Sequence, residues 1–381
     1  MQKSFNKIHR FALKQFTAFE DAIFEFCPGI NVLIGLNSTG KTLTIKMLYA
    51  ILRICQATHQ RKLITDGDSI DIIVSKLQGI FQPRHLSNLI HWNSSDKKKR
   101  QDNLEVFLEF SDTTFGLKIE SRLDEKDQKR VRISPTFQIS PATLIPSSIY
   151  LPPQELLSIN QGFISLYQNR ELPYDETYYD LSLALNAVPL RNEKLIEIQE
   201  ILTFIETIIT GESDHIGEGI ITQDNNQFYF DLPEGRFETH LVAEGYRKIA
   251  TLLYLLKNGM LTKDSILFWD EPEANLNPQL TVQLVRVLNM LASTGMQIFI
   301  TTHDYLLSHE LSLLKEYQTD AKMDMKFFAL EKSDRRAGVK IKSGNTLPEI
   351  QHNPILEEFA AHYDREVSLF DKHSSQEERD I

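Results

Sequence analysis

Cysteine is nearly absent from this chain of 381 residues. The two present, Cys27 and Cys55, sit in apolar surroundings and offer no spacing for a metal site or a disulfide framework. No apolar run approaches the twenty residues that a membrane-spanning helix needs, so no membrane association is expected. No stretch sustains heptads over many turns, which excludes a long coiled coil. The opening Met1-Gln2-Lys3-Ser4 lacks the apolar core of a secretory signal, and a cytoplasmic location is expected. Positive charge is in deficit as well: 41 Lys and Arg against 52 Asp and Glu give a net charge of −11. Bulk charge therefore does not favour nonspecific nucleic-acid binding. Local basic runs exist at Lys97-Lys98-Lys99-Arg100 and from Lys126 to Arg132. They read as solvated loops, with a nucleic-acid partner left open.

What is present is more specific. Gly35-Leu36-Asn37-Ser38-Thr39-Gly40-Lys41-Thr42 fits G-x-x-x-x-G-K-[ST], the loop that cradles nucleotide phosphates. It follows the strand-like run Ile30 to Ile34 and precedes Leu43 to Cys55, which reads as a buried helix. Glycine lets the backbone close around oxygens, and successive N–H groups of Asn37, Ser38, Thr39 and Gly40 make an anion nest. The helix then turns its positive N-terminal end toward the same anion. Lys41 is expected to reach the β/γ-phosphates of ATP, and the Thr42 hydroxyl to ligate Mg²⁺.

A second half-site lies far along the chain. Ser265-Ile266-Leu267-Phe268-Trp269-Asp270 reads as a strand buried on both faces and ending in a carboxylate. Asp270 is the expected Mg²⁺ partner, directly or through water, and Glu271 the group that polarises the attacking water. Gln297 to Thr302 is another apolar strand, ending in Thr301-Thr302-His303. Between them Pro278 to Ala292 has helical spacing, with Pro278 suited to a first turn and Gly295 to the stop. Strand, helix and strand then form a parallel crossover that brings both strand tips to one sheet edge, where ligands of open α/β sheets bind. His303 is placed there to meet the γ-phosphate or the water.

In this order the motifs resemble the ABC-type ATPase heads of the SMC, Rad50, RecF and OLD group. Within that group the chain resembles stand-alone AAA family ATPases of bacterial anti-phage defence, such as PtuA of the Septu and retron systems. Phe16-Thr17-Ala18-Phe19 leading to Pro28-Gly29-Ile30-Asn31 resembles the opening of such heads. The resemblance implies an α/β fold: a P-loop head with a mostly parallel central sheet, an antiparallel β meander and a helical lobe. It makes His303 the switch histidine and Asp270 through Pro278 the Walker B strand end and D-loop, with Asn275 and Leu276 facing a partner subunit. The signature turn, which would contact ATP held by the opposite head, falls at Ala243-Glu244-Gly245; Ala243 stands where serine is usual. The Q-loop glutamine, a Mg²⁺ and water contact, falls at Gln154, although Pro152-Pro153 would end that strand in any case.

One head, residues 1–335, is expected, with a helical lobe inserted at about 155–215; residues 336–381 follow as a C-terminal strand, helix and flexible tail from His373. Strand-like runs Leu104 to Phe110, Phe115 to Ile119 and Val131 to Ile133 supply the meander. The resemblance implies an ATP-hydrolysing switch that pairs head-to-tail with itself, as a dimer or higher oligomer, and controls a separate effector, a nuclease or toxin; the hydroxyl missing at Ala243 is expected to make turnover slow. The segment after His303 holds neither a cluster of metal-binding acids nor an HNH-like set, so the effector is expected on another polypeptide. The alternatives are a RecF- or Rad50-like repair ATPase, a transporter's nucleotide-binding subunit, and a nucleotide-gated scaffold with little turnover.

Overall fold

The computed structural model describes residues 7–60, 66–91, 101–110, 113–123, 129–138, 144–187, 196–211, 220–317, 324–332, 338–350 and 353–377. The chain opens with the hairpin β1 (Ile8–Phe16) and β2 (Phe19–Glu25), then β3 (Ile30–Gly35) and the helices α1 (Lys41–Gln60) and α2 (Asp66–Phe81). Three long strands follow, β4 (Gln101–Phe110), β5 (Thr113–Leu123) and β6 (Lys129–Gln138), and then the short β7 (Ser148–Leu151). Helices α3 (Phe163–Gln168), α4 (Glu176–Leu185) and α5 (Gln199–Thr210) lead to β8 (Ile221–Asp224), β9 (Gln227–Leu232) and β10 (Gly235–Glu238). The last stretch runs α6 (Glu244–Lys257), β11 (Ile266–Asp270), α7 (Pro278–Ser293), β12 (Gln297–Thr302) and α8 (Tyr305–Tyr317). It ends with β13 (Met325–Glu331), β14 (Lys340–Gly344) and α9 (Pro354–Glu377).

Six of these strands make one sheet in the order β14-β13-β3-β12-β11-β7. All neighbours run parallel except the edge pair β13–β14. β11 and β12 are parallel, as the crossover between them predicts, and they are direct neighbours, with β12 between β11 and the phosphate-loop strand β3. Opposing Asp270 to Thr301 and Thr302 to Ile34 aligns three strand tips at one height. β3, β11 and β12 are buried along their whole length, because both sheet faces are covered. Val32, Ile34, Leu267, Trp269, Ile298 and Ile300 belong to one core, which includes residues of α5, α6, α7 and α8. Leu33, Phe268, Phe299 and Phe328 point into the other, shared with α1, α2 and the meander.

The meander is a five-stranded antiparallel sheet, β2-β1-β4-β5-β6. Its strands run longer than their apolar cores suggest because polar residues of the outer face continue the ladder. Pro135 is accommodated because β6 is the edge strand. α1, caught between this sheet and the central one, is apolar on nearly every side, and Ile45, Met47, Leu48, Ile51 and Leu52 have no exposure. Burial also pushes the Cys55 thiol up to about 12, so it behaves as a small apolar group.

One buried side chain joins the two sheets. Gln297 accepts from the Ile8 N–H (2.9 Å) and donates to the Ile8 and Cys27 carbonyls (2.9 and 2.8 Å). Asn31 closes the same turn through the Cys27 backbone at 2.9 Å on both sides.

Some features were not expected from the sequence. The small sheet β10-β9-β8 was missed, although Asn225-Asn226, both left-handed, makes the kind of tight turn that favours asparagine in hairpins. α2 was missed too, despite its Ile72, Ile73, Leu77 and Ile80 spacing. α9 takes in His373 to Glu377, where a frayed tail was expected. Lys97 to Arg100 lie outside the described residues, as do Lys126 to Gln128, while Lys129 to Arg132 belong to β6.

Gly29 shows how closely the chain crosses itself beneath the site. A Cβ there would stand 2.0 Å from the Asp324 carbonyl, which accepts the Ile30 N–H at 2.9 Å. Gly29→Ala is expected to destabilise the fold by roughly 2–4 kcal/mol. Chemical denaturation checks this, and an unchanged midpoint would count against so close a crossing.

Candidate functional site

The phosphate loop connects β3 to α1 without slack. Gly40 (φ +91°) faces the hairpin tip, where an added Cβ would lie 2.9 Å from the Phe19 ring. Ser38 holds φ +65° without being glycine, a strained backbone of the kind found at ligand sites. Thr39 donates to the Leu36 carbonyl at 2.8 Å, which folds the loop onto itself, while Asn37 and Ser38 stay exposed. Lys41 is buried, and its ammonium rests on the Gly35 and Leu36 carbonyls at 2.7 and 3.1 Å. Burial holds its pKa below the ordinary lysine value, opposed by Glu271, Asp270 and Glu273, whose charges favour the ammonium.

Asp270 is the meeting point. Its Oδ1 accepts from Thr42 Oγ1 at 2.9 Å and from the Thr301 hydroxyl; its Oδ2 accepts from the Tyr150 hydroxyl at 3.1 Å. These donors come from α1, β12 and β7. The residue is 1% exposed, and desolvation raises the pKa of its carboxyl above the ordinary value although three hydrogen bonds pull the other way. Glu271 follows with φ +48°, its N–H held by the Thr301 carbonyl at 3.0 Å. Its Oε1 stands 3.2 Å from His303 Nδ1, and the imidazole is about half exposed. Lys41, Thr42, Asp270, Glu271 and His303 thus converge at one edge of the sheet.

A second cluster surrounds the start of α6. Ala243 occupies the N-cap position and, lacking a hydroxyl, makes no side-chain cap. Glu244 accepts from Asn275 Nδ2 at 2.8 Å, and Asn275 itself is left-handed at φ +65°. A Cβ on Gly245 would meet the end of the Leu280 side chain at 2.9 Å and that of Leu276 at 3.0 Å, so α6 lies close against this loop and a larger residue would require these leucines to shift. Lys248, also buried, donates to the Ala274 carbonyl at 2.7 Å and ties this cluster to the first. Burial depresses its pKa, against Glu244, Glu273, Glu271 and Glu155.

Gln154 is exposed on the loop beyond β7 and lines a small cleft with Lys248 and Trp269. The group from this segment that reaches Asp270 is Tyr150. Arg247 Nε lies 2.8 Å from Glu155 Oε1, an ion pair in distance whose N–H is not aimed at the oxygen, and it binds this loop to α6. Tyr150 and Thr301 were not singled out from the sequence. A tyrosine in an otherwise apolar strand is the available signal, because a buried phenol needs a partner. Thr301 becomes visible only once β12 is known to neighbour β11.

The donor set suits the ligands that the motifs imply. A hydroxyl and a carboxylate 2.9 Å apart are hard oxygens of the type that holds Mg²⁺ beside phosphates. Among the described residues no group of three His, Cys, Asp or Glu side chains could hold a metal by itself.

Burying ionised Asp270 has a cost. A carboxyl whose folded pKa is raised destabilises the fold at neutral pH, and that cost vanishes as pH falls through the raised value to the ordinary one of 3.8. Asp270→Asn, which removes the buried charge, should therefore melt above the wild type at pH 7.5, with the gain shrinking toward pH 4. Thermal melts across that range test it, and a gain that grows on acidification would reverse the sign.

Residues 30–308, more than half of the chain, match the AAA_21 family, described as "AAA domain, putative AbiEii toxin, Type IV TA system". The Arginine transport ATP-binding protein ArtP of Haemophilus influenzae is 27% identical over 88 residues, which are 23% of this chain and 34% of that protein. The chain thus spans about a third of the length of this curated relative. Among solved structures, the SMC head domain from Thermotoga maritima is 13% identical over 85% of this chain and 95% of that one, with a TM-score of 0.42. The recombination mediator protein RecF is 12% identical over 86% and 96%, with a TM-score of 0.37. On the strength of the family match over residues 30–308, the chain belongs to the AAA_21 family of AAA domains.

Proposed function

We propose that this protein is an ATP-hydrolysing switch, with the phosphates between the Lys41 loop and the Asp270–Glu271–His303 edge. The observation that carries it is the convergence on Asp270 of Thr42, Thr301 and Tyr150, beside the paired Glu271 and His303. Lys41 leaves the loop carbonyls for the β/γ-phosphate oxygens, whose charge it neutralises, while loop N–H groups and the start of α1 bind the rest. Thr42 and Asp270, with Gln154 as a further candidate contact, would hold Mg²⁺, which supplies charge neutralisation to the phosphates when bound. Glu271 accepts a hydrogen bond from the attacking water and orients it in line with the γ-phosphate. His303, 3.2 Å from that carboxylate, fixes its rotamer and meets the γ-phosphate from the open side.

We further infer that two copies pair head-to-tail, each nucleotide lying between one phosphate loop and the partner's α6 start. Two exposed leucines support this reading: Leu36, 57% exposed, in the phosphate loop, and Leu241, 63% exposed, just before α6. The missing serine at Ala243 leaves the Gly245 backbone as the anion contact, which favours slow turnover. We place this switch in defence against invading genetic elements, controlling a separate nuclease or toxin; the AAA_21 description, a putative toxin of a Type IV toxin–antitoxin system, supports a role in such conflict systems but names no separate effector. A RecF-like repair role is the rival reading, and strong stimulation of hydrolysis by duplex DNA would favour it.

Lys41→Ala should abolish ATP binding in a fluorescent-nucleotide titration. Glu271→Gln should keep binding, lower hydrolysis by about a hundredfold or more, and accumulate ATP-bound dimers by light scattering. Undiminished hydrolysis by the glutamine variant would overturn the role given to Glu271, and a variant that stays monomeric with ATP bound would overturn the pairing.

A further inference from the structure

Glu273 is the third carboxylate of the Asp270 segment, and the mechanism above does not use it. It is 8% exposed, and Oε1 accepts from the Thr302 hydroxyl at 2.6 Å. Its Oε2 is buried with no hydrogen-bond partner among the described residues. Thr302 is fully buried, and its oxygen also accepts the Asp304 N–H at 2.9 Å. A hydroxyl has one proton and a carboxylate oxygen only accepts, so that proton is committed to Glu273 while a lone pair takes the Asp304 N–H. The two residues that flank His303 are thus fastened through one hydroxyl to one carboxylate. Asp304 then caps α8 by accepting the Leu307 N–H at 2.7 Å, so the imidazole rides on a turn fixed at both ends. On its other side Glu273 adjoins Ala274, whose carbonyl Lys248 of α6 holds at 2.7 Å.

We propose that Glu273 is a positioning residue for His303, holding the histidine turn through Thr302 and linking it by way of Ala274 and Lys248 to the start of α6. Movement of α6 on engaging a partner's nucleotide is thereby transmitted within the same subunit to the group facing its own γ-phosphate. The inference rests on the ATPase reading for its effect on rate, but the placement of His303 by Glu273 can be measured without hydrolysis.

The test combines kinetics with NMR of the full chain carrying ¹³C-labelled histidine rings; His303→Gln identifies the His303 signal among the 11 histidines. Glu273→Ala is expected to move or broaden that signal. It should lower kcat about tenfold, the size expected for a lost buried hydrogen bond to a charged group, with KM changed less than about threefold. Glu273→Gln, whose amide oxygen can still accept from Thr302, should recover most of the loss. Thr302→Val should reproduce it, and the double variant should be no worse than either single one. An unmoved His303 signal in Glu273→Ala, a glutamine variant as slow as the alanine one, or losses that multiply would each overturn the proposal. Should Glu273→Ala fail to fold, the Gln and Val variants decide by the same criteria. A wild-type protein that does not hydrolyse ATP would refute the ATPase reading alone, and the His303 signal would still decide this one.

Discussion

The architecture turns on one buried carboxylate. Asp270 is almost wholly removed from water, at the end of a strand with no exposed residue, a position that penalises its charge. Hydroxyls from three segments make that charge tolerable: Thr42 just after the phosphate loop, Tyr150 from β7 and Thr301 from β12. None of these is near Asp270 in sequence, so the bonds form only when the parallel sheet is complete and its tips are level. Polar satisfaction and strand registry are here the same requirement. A shift of one residue in either β11 ladder would turn that ladder's hydroxyl, Thr301 or Tyr150, to the opposite sheet face and leave the buried carboxylate one donor short.

Much of this was legible in the residues. The glycine pattern at Gly35 and Gly40, between an apolar run and a helix, dictates the loop, since both glycines stand where an added Cβ would strike a neighbour. The fully apolar runs of β3, β11 and β12 announced strands covered on both faces, and their polar ends announced the edge where the chemistry collects. The order of the strands could not be read in the same way. Periodicity reports which faces are buried and not which strand neighbours which, so Thr301, opposite Asp270, carried no mark of its role. The same applies to Glu273 and Lys248, ionisable residues that a sequence places on the surface by default. Gln154 illustrates the converse: a residue type in the right order along the chain, with the contact to Asp270 made four positions earlier by Tyr150.

The two clusters at the sheet edge differ in character. Around Lys41 and Asp270 the side chains are buried and held by several bonds each. Around Glu271 and His303 they are partly exposed and joined to one another, with the backbone of Glu271 and of Asn275 in left-handed conformations that non-glycine residues avoid. The first arrangement suits holding an ion and phosphates in a fixed place. The second suits groups that exchange partners when a ligand arrives, since an exposed pair gives up little on separating.

The contact between the Phe19 ring and Gly40 has a consequence for kinetics. The hairpin tip backs the phosphate loop, and the fully buried ring leaves no void into which the loop can retreat. The loop's conformational entropy is therefore surrendered when the domain folds and not when a ligand lands. Capture of a nucleotide then resembles docking onto a template already formed, with association limited by diffusion and encounter geometry.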